Sequence, residues 1–226
     1  MKKVLTMLLL LCAAMGTYGQ EEPEYRMEVG AGAGLVTYLG DFNDNLLKNQ
    51  QPMGSLIAKY RMNPRMSWAV NVSYGKLKGS SADETTWYPE LQEQPVSFNH
   101  GLVDVGLRYE YNFWAFGTGR EYRGARKLTP FIALGLGATY VNAADHVLAA
   151  NVPLGAGLKY KVADRLNLTA EWVMHFAGSD RLDGVEDPYG IKSSGIFKNT
   201  DCYTTLQIAL TYDIWAKCKT CNNDRD

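Results

Sequence analysis

The side chains best able to do chemistry in this chain are three histidines, a close cysteine pair and several glycine strings. Their spacing argues against most of that chemistry. Cys218 and Cys221 form a CxxC within a basic tail that also holds Lys217 and Lys219. A redox pair of this kind needs a strand running into a helix, and a structural zinc needs a second pair of ligands. Neither context follows, so a local disulfide or two idle thiols is the reading. The strings Gly30–Gly34, Gly135–Gly137 and Gly155–Gly157 do not continue into GxGxxG or a phosphate loop, and no GxSxG elbow or HExxH helix occurs. No metal and no cofactor is expected. His100, His146 and His175 are scattered. His100 and His175 fall on the polar parity of their strands, near one end. With Asp180 or Asp41 from loops and Ser97 or Thr139 as hydroxyl, they frame a conceivable hydrolytic rim site, provided that a histidine reaches its nucleophile. The alternative is that both join an internal polar network.

The elements that would position these groups begin after residue 19. Lys2 and Lys3 precede an apolar run from Val4 to Leu11 and then small residues up to Gly19. This is the order of a secretory signal peptide, too short to span a bilayer as a helix. Cys12 raises a lipoprotein alternative, against which Leu11 is large where a small residue is wanted. The division expected is a signal peptide over 1–19, a barrel over 20–215 and a short periplasmic tail over 216–226.

From residue 24 onward the apolar period is two, which signals strands. Tyr25, Met27, Val29, Ala31, Ala33 and Leu35 alternate with Arg26, Glu28 and glycines. Seven further runs follow, built around Leu56–Met62, Met66–Tyr74, Val103–Tyr111, Leu134–Tyr140, Leu154–Tyr160, Leu166–Phe176 and Leu206–Ile214. Eight runs of about ten residues suit tilted transmembrane strands. The fold class expected is all-β, an eight-stranded antiparallel up-and-down transmembrane β-barrel.

A soluble barrel would carry its bulky apolar groups inside. Here the apolar face is aliphatic in mid-strand and aromatic at both ends, with Tyr25, Tyr60, Trp68, Tyr111, Tyr160 and Tyr212 at one and Tyr74, Tyr140, Trp172 and Phe176 at the other. Two aromatic girdles around an aliphatic belt belong against lipid. The opposite face mixes small residues with Arg26, Glu28, Lys59, Arg61, Asp104, Arg108, Glu110, Lys159, Lys161, Glu171, His175 and Asp213, and is expected to form a paired polar network that plugs the lumen. An interior of this size is filled by side chains, so a pore is not expected.

With both termini in the periplasm, the outward loops are Gly40–Gln51, Gly79–Gln94, Asn142–Ala150 and Ala177–Thr200, and two of the opposite turns have three residues. The basic stretch Trp114–Thr129 is long where a tight turn belongs; it either docks on the periplasmic mouth or, the expectation here, is disordered. Gln207, Ala209, Tyr212 and Ile214 are spaced for recognition by barrel-insertion machinery. The segments YLGDFN at Tyr38–Asn43, YRMNPRMSWAVNVSYGKLKGSSAD at Tyr60–Asp83, LRYEYNF at Leu107–Phe113 and LTPFIALGLGATYV at Leu128–Val141 resemble the domain-of-unknown-function 6089 outer-membrane barrels of Bacteroidetes. That resemblance covers most of the mature chain and implies an address rather than an activity. A more distant one is to small barrels accessory to protein export.

A formal net charge of -1, with no long run of like charges, gives no strongly basic or acidic segment to recruit nucleic acid. The function expected is a structural or interaction barrel, not an enzyme, delivered to the outer membrane by a cleaved signal peptide. Its partners would be outer-membrane lipid, lipopolysaccharide, the insertion machinery and an extracellular protein met through loop residues Phe42, Trp87 and Tyr88. The alternatives are the hydrolase with a rim site around His100 and His175, and an accessory barrel for protein export or small-solute passage.

Overall fold

In the computed structural model the described residues are 24–39, 46, 48–80, 97–118, 125–143, 146–179 and 201–216. They form one closed barrel of β1 (Tyr25–Leu39), β2 (Gln51–Asn63), β3 (Met66–Ser80), β4 (Ser97–Asn112), β5 (Leu128–Asn142), β6 (Val147–Ala163), β7 (Leu166–Ala177) and β8 (Cys202–Ala216). Each strand pairs antiparallel with its sequence neighbours, and β8 closes on β1. The register can be followed from Met27 through Tyr60, Trp68, Tyr109, Leu134, Leu154, Met174 and Thr204 back to Thr37, ten residues along β1 from Met27. That stagger tilts every strand against the barrel axis, as closure requires. The β5–β6 ladder breaks between Leu134↔Leu154 and Gly137↔Asn151 without changing register. Pro153, which has no N–H to give, lies in that gap.

Alternation puts the two faces where the pattern requires. Leu56, Leu136, Leu154 and Ile208 face outward and are exposed, Leu136 at 71%. Such a continuous apolar surface is stable only against hydrocarbon or a partner. The barrel ends differ. One, the turn end, carries both strand termini Tyr25 and Ala216 and the turns after Asn63 and Ala163. At the other, the loop end, the connections after Leu39, Ser80 and Ala177 are long.

Four expectations need correction. The β5–β6 connection is shorter than Asn142–Ala150, because β6 already begins at Val147; His146 (φ 48°) turns the chain there and stacks on Tyr140, whose hydroxyl lies 2.9 Å from His146 Nδ1. Met66, expected against lipid, is buried, at the turn onto which the β4–β5 connection folds. The described parts of Trp114–Thr129 are docked, not loose: Phe116 N–H donates to Pro64 O (3.0 Å), Gly117 N–H to Arg126 O (3.2 Å) and Arg126 N–H to Ala115 O (2.7 Å). Burial of Phe116 and Ala115 holds this segment across the mouth. Lastly, the lumen is not polar throughout. Val36, Tyr38, Met53, Leu77, Phe98, Leu102, Val141 and Tyr203 form a buried apolar cluster inside its loop end.

Candidate functional site

The lumen holds the groups that the strand pattern singles out. Eleven of the twelve network residues are buried; Arg26 is half-buried at the turn end. Nearest that end, Arg61 binds both Glu28 (2.5 Å) and Asp213 (2.9 Å), and Lys161 binds Asp213 (2.6 Å). Asn167 donates to Asp213 (2.8 Å) and Thr211 donates to Glu28. In the next layer Glu110 sits between Lys159 (2.7 Å) and Lys59 (3.2 Å), and both ammonium groups lie over the Phe131 ring at 4.5 and 5.7 Å. Arg108 pairs with Glu171 (3.0 Å), which also accepts from Gln207, itself held by Ser55 (2.6 Å).

All five buried cations, Lys59, Arg61, Arg108, Lys159 and Lys161, thus have a carboxylate within 3.2 Å. Pairing is obligatory here. Removing one partner of a buried pair costs about 3–5 kcal/mol, because it leaves an uncompensated charge out of water. Glycines make room for the long side chains. A Cβ at Gly135 would strike the backbone at Leu107 and Arg108, and one at Gly137 would sit 2.6 Å from Asn151 Oδ1.

Above the ion pairs Asp104 is satisfied by neutral donors instead: Thr139 (3.0 Å), Asn151 (2.5 Å) and the Tyr203 hydroxyl (2.8 Å). His175 stacks on Tyr203 at 4.3 Å, and its Nδ1 has no hydrogen-bond partner among the described residues. Among the described residues the groups named for a rim site are committed elsewhere. Thr139 and His175 are buried, and the Thr139 hydroxyl is committed to Asp104. Ser97 is exposed on the opposite parity to Phe98 and Leu102, and His100 stacks on Phe98 at 5.3 Å beside the apolar cluster. Asp41, Asp180, Phe42, Trp87, Tyr88, Cys218, Cys221 and residues 1–19 lie outside the described residues.

Both mouths of the network are sealed by rings that strand reasoning passed over. At the turn end Phe116 lies under the Arg61 guanidinium (5.5 Å) and the Lys161 ammonium (5.7 Å). At the loop end Tyr38 packs edge-on against Phe98 at 5.0 Å, and its hydroxyl donates to Asp201. The loop-end seal had a signal in the sequence. After Tyr74 the apolar parity inverts: Lys76 and Lys78 face out while Leu77 is fully buried. The same inversion puts Phe98 and Leu102 inside with Asn99 outside. Phe116 had no such signal, since it lies in a connection without period.

Solved barrels share this architecture. Neisserial surface protein A is 15% identical, with a TM-score of 0.50 over 83% of this chain and 97% of that one. The outer membrane protein OprG from Pseudomonas aeruginosa is 9% identical, with a TM-score of 0.48 over 87% and 99%. The outer membrane enzyme PagL is 13% identical, with a TM-score of 0.40 over 83% and 99%. Likeness at such identity speaks to the fold alone. No curated protein matches the chain in sequence. One family does match, over residues 2–223, and the chain therefore belongs to the family described as Domain of unknown function (DUF6089).

Proposed function

We propose that this chain is exported by a cleaved signal peptide and inserted in the outer membrane, where it serves a structural or interaction role with a closed lumen. In this reading the turn end faces the periplasm and the loop end faces outward. The observation that carries it is a charge-paired interior sealed at both mouths by rings, inside a barrel whose outward aliphatic residues are exposed. A channel needs a wet path, whereas here the lumen cross-section is occupied by side chains. Three long connections gathered at one end support work done through loops, with lipopolysaccharide or an extracellular protein as partner and Phe42, Trp87 and Tyr88 as candidate contacts. Gln207, Ala209, Tyr212 and Ile214 on β8 are the residues offered to the insertion machinery.

The reading is tested on detergent-extracted protein by gel migration before and after boiling, and by conductance in planar bilayers. We expect a band that shifts only on boiling, and silent bilayers. Steady unitary currents would overturn the closed lumen. A water-soluble protein without a shift would overturn the membrane placement.

A further inference from the structure

The turn-end rim treats its cations in a way that the lumen does not. Arg65, Arg126, Lys127 and Arg165 stand there, and none enters an ion pair among the described residues. Three of them are nonetheless held in place. The Arg126 guanidinium lies over the Trp114 ring at 4.7 Å, and that of Arg165 lies over Tyr25 at 5.4 Å, with Nε donating to the Tyr25 hydroxyl (3.3 Å). Arg65 Nη1 donates to Phe113 O (3.0 Å).

The backbone beneath them is pinned by one repeated device. Arg65 O accepts Asn112 N–H (2.7 Å), Lys127 O accepts Lys161 N–H (2.7 Å) and Arg165 O accepts Asp213 N–H (2.8 Å). Each of the three connections of this end thus carries the ladder to the following strand one residue further, which holds the backbone of the four cations on one rim, a collar at the turn end. A guanidinium fixed on a ring or by one hydrogen bond keeps its remaining N–H groups in plane and directed for bonds to phosphate. The rings also set the level. Trp114 is 40% exposed at the end of the barrel where Tyr60, Trp68 and Tyr212 also face outward, and such an aromatic girdle sits at the headgroup depth of a bilayer.

We propose that this collar binds the phosphate headgroups of anionic phospholipids in the leaflet at the turn end. The inference rests on the membrane reading above and adds a binding surface to it. Basic groups at a membrane surface gain from anionic lipid within a Debye length, and this gain is lost against zwitterionic lipid. Fixed guanidiniums add a geometric preference for phosphate over a diffuse charge effect.

The test is native mass spectrometry of the full chain from mixed micelles with equal phosphatidylglycerol and phosphatidylcholine. The expected result is a several-fold excess of bound phosphatidylglycerol, lost in the R65Q/R126Q/R165Q variant and kept in a K76Q/K78Q control at the loop end. Replacing the three arginines by lysine should keep part of the preference, since charge persists without the fork. No preference in the unmodified protein, or equal loss in the loop-end control, would overturn the collar. Displacement of the lipid by inorganic phosphate alone would mark a free-anion site and overturn the lipid assignment. The heat-dependent band shift is read on every variant. A shifted barrel without lipid preference defeats this inference alone, whereas an unshifted, soluble protein defeats the membrane reading with it. Should the triple variant fail to fold, the three single variants must each lower the preference, and unchanged values would sink the proposal.

Discussion

The two halves of the lumen fill the same barrel by opposite means. Toward the turn end, five cations and four of the buried carboxylates make a salt-bridged stack with Phe131 and Phe116 beneath the ammonium and guanidinium groups. Toward the loop end, Val36, Leu77, Phe98 and Leu102 make an ordinary apolar core, and the strands there show Lys76, Lys78, Asn99 and Asn142 to the outside. In the membrane reading proposed above, the difference marks where the lipid belt stops. Where hydrocarbon covers the outside, apolar groups are used there and polar ones go in. Where water covers it, polarity reverses and the hydrophobic effect again drives burial inward. The Asp104 cluster of Thr139, Asn151 and Tyr203 joins the two regimes, with Tyr203 in both.

Variants can break this contrast, beginning with the polar half. Glu110→Leu strands Lys59 and Lys159 together and is expected to cost about 3–5 kcal/mol by urea unfolding in detergent. Combining Glu171→Leu with Arg108→Met should cost less than Glu171→Leu alone, because no charge is left unpaired. Equal costs would mean that this pair contributes through packing only. On the outside, Leu136→Arg should cost about 2–4 kcal/mol if the residue lies at mid-bilayer. A neutral result in the same urea titration would remove Leu136 from the lipid belt. In the apolar half, Leu77→Ala should cost about 2–3 kcal/mol through an unfilled cavity. It should also leave bilayers silent, since the ion-paired half stays closed; currents in this variant would make the apolar seal the true barrier. Thr139→Ser keeps the hydroxyl that meets Asp104 and should cost only about 1 kcal/mol in the same titration, the loss of one buried methyl.

Much of the barrel is legible in the amino-acid sequence. The parity of Leu56 against Lys59, or of Leu107 against Arg108, is a local property that survives folding unchanged, because a strand has no other way to direct its side chains. The girdles were legible for the same reason. What went astray lay where the period changes or ends. The inversion after Tyr74 reads as a strand running into a polar loop when its partners on β1 and β4 are unknown. Phe116 reads as loop because its burial depends on Pro64 and Arg61, about fifty positions upstream. His175 and Thr139 share the inner parity, and only the packed interior shows that both are buried and that the Thr139 hydroxyl is taken by Asp104.

The amino-acid sequence by itself determined strand number, the direction of each side chain and the outward aliphatic belt, because these follow from a two-residue period that each segment carries alone. It also set the near balance of inward charge. Tertiary structure alone decided which partner each charge meets, since Glu28 and the Thr211 hydroxyl that donates to it stand 183 positions apart and are brought together only when β8 closes on β1. Closure, with its ten-residue stagger, turned an inward-facing set into specific pairs, and docking of the β4–β5 connection sealed one mouth and aligned the rim cations. Such contacts depend on register summed round the whole barrel, and no single strand contains it.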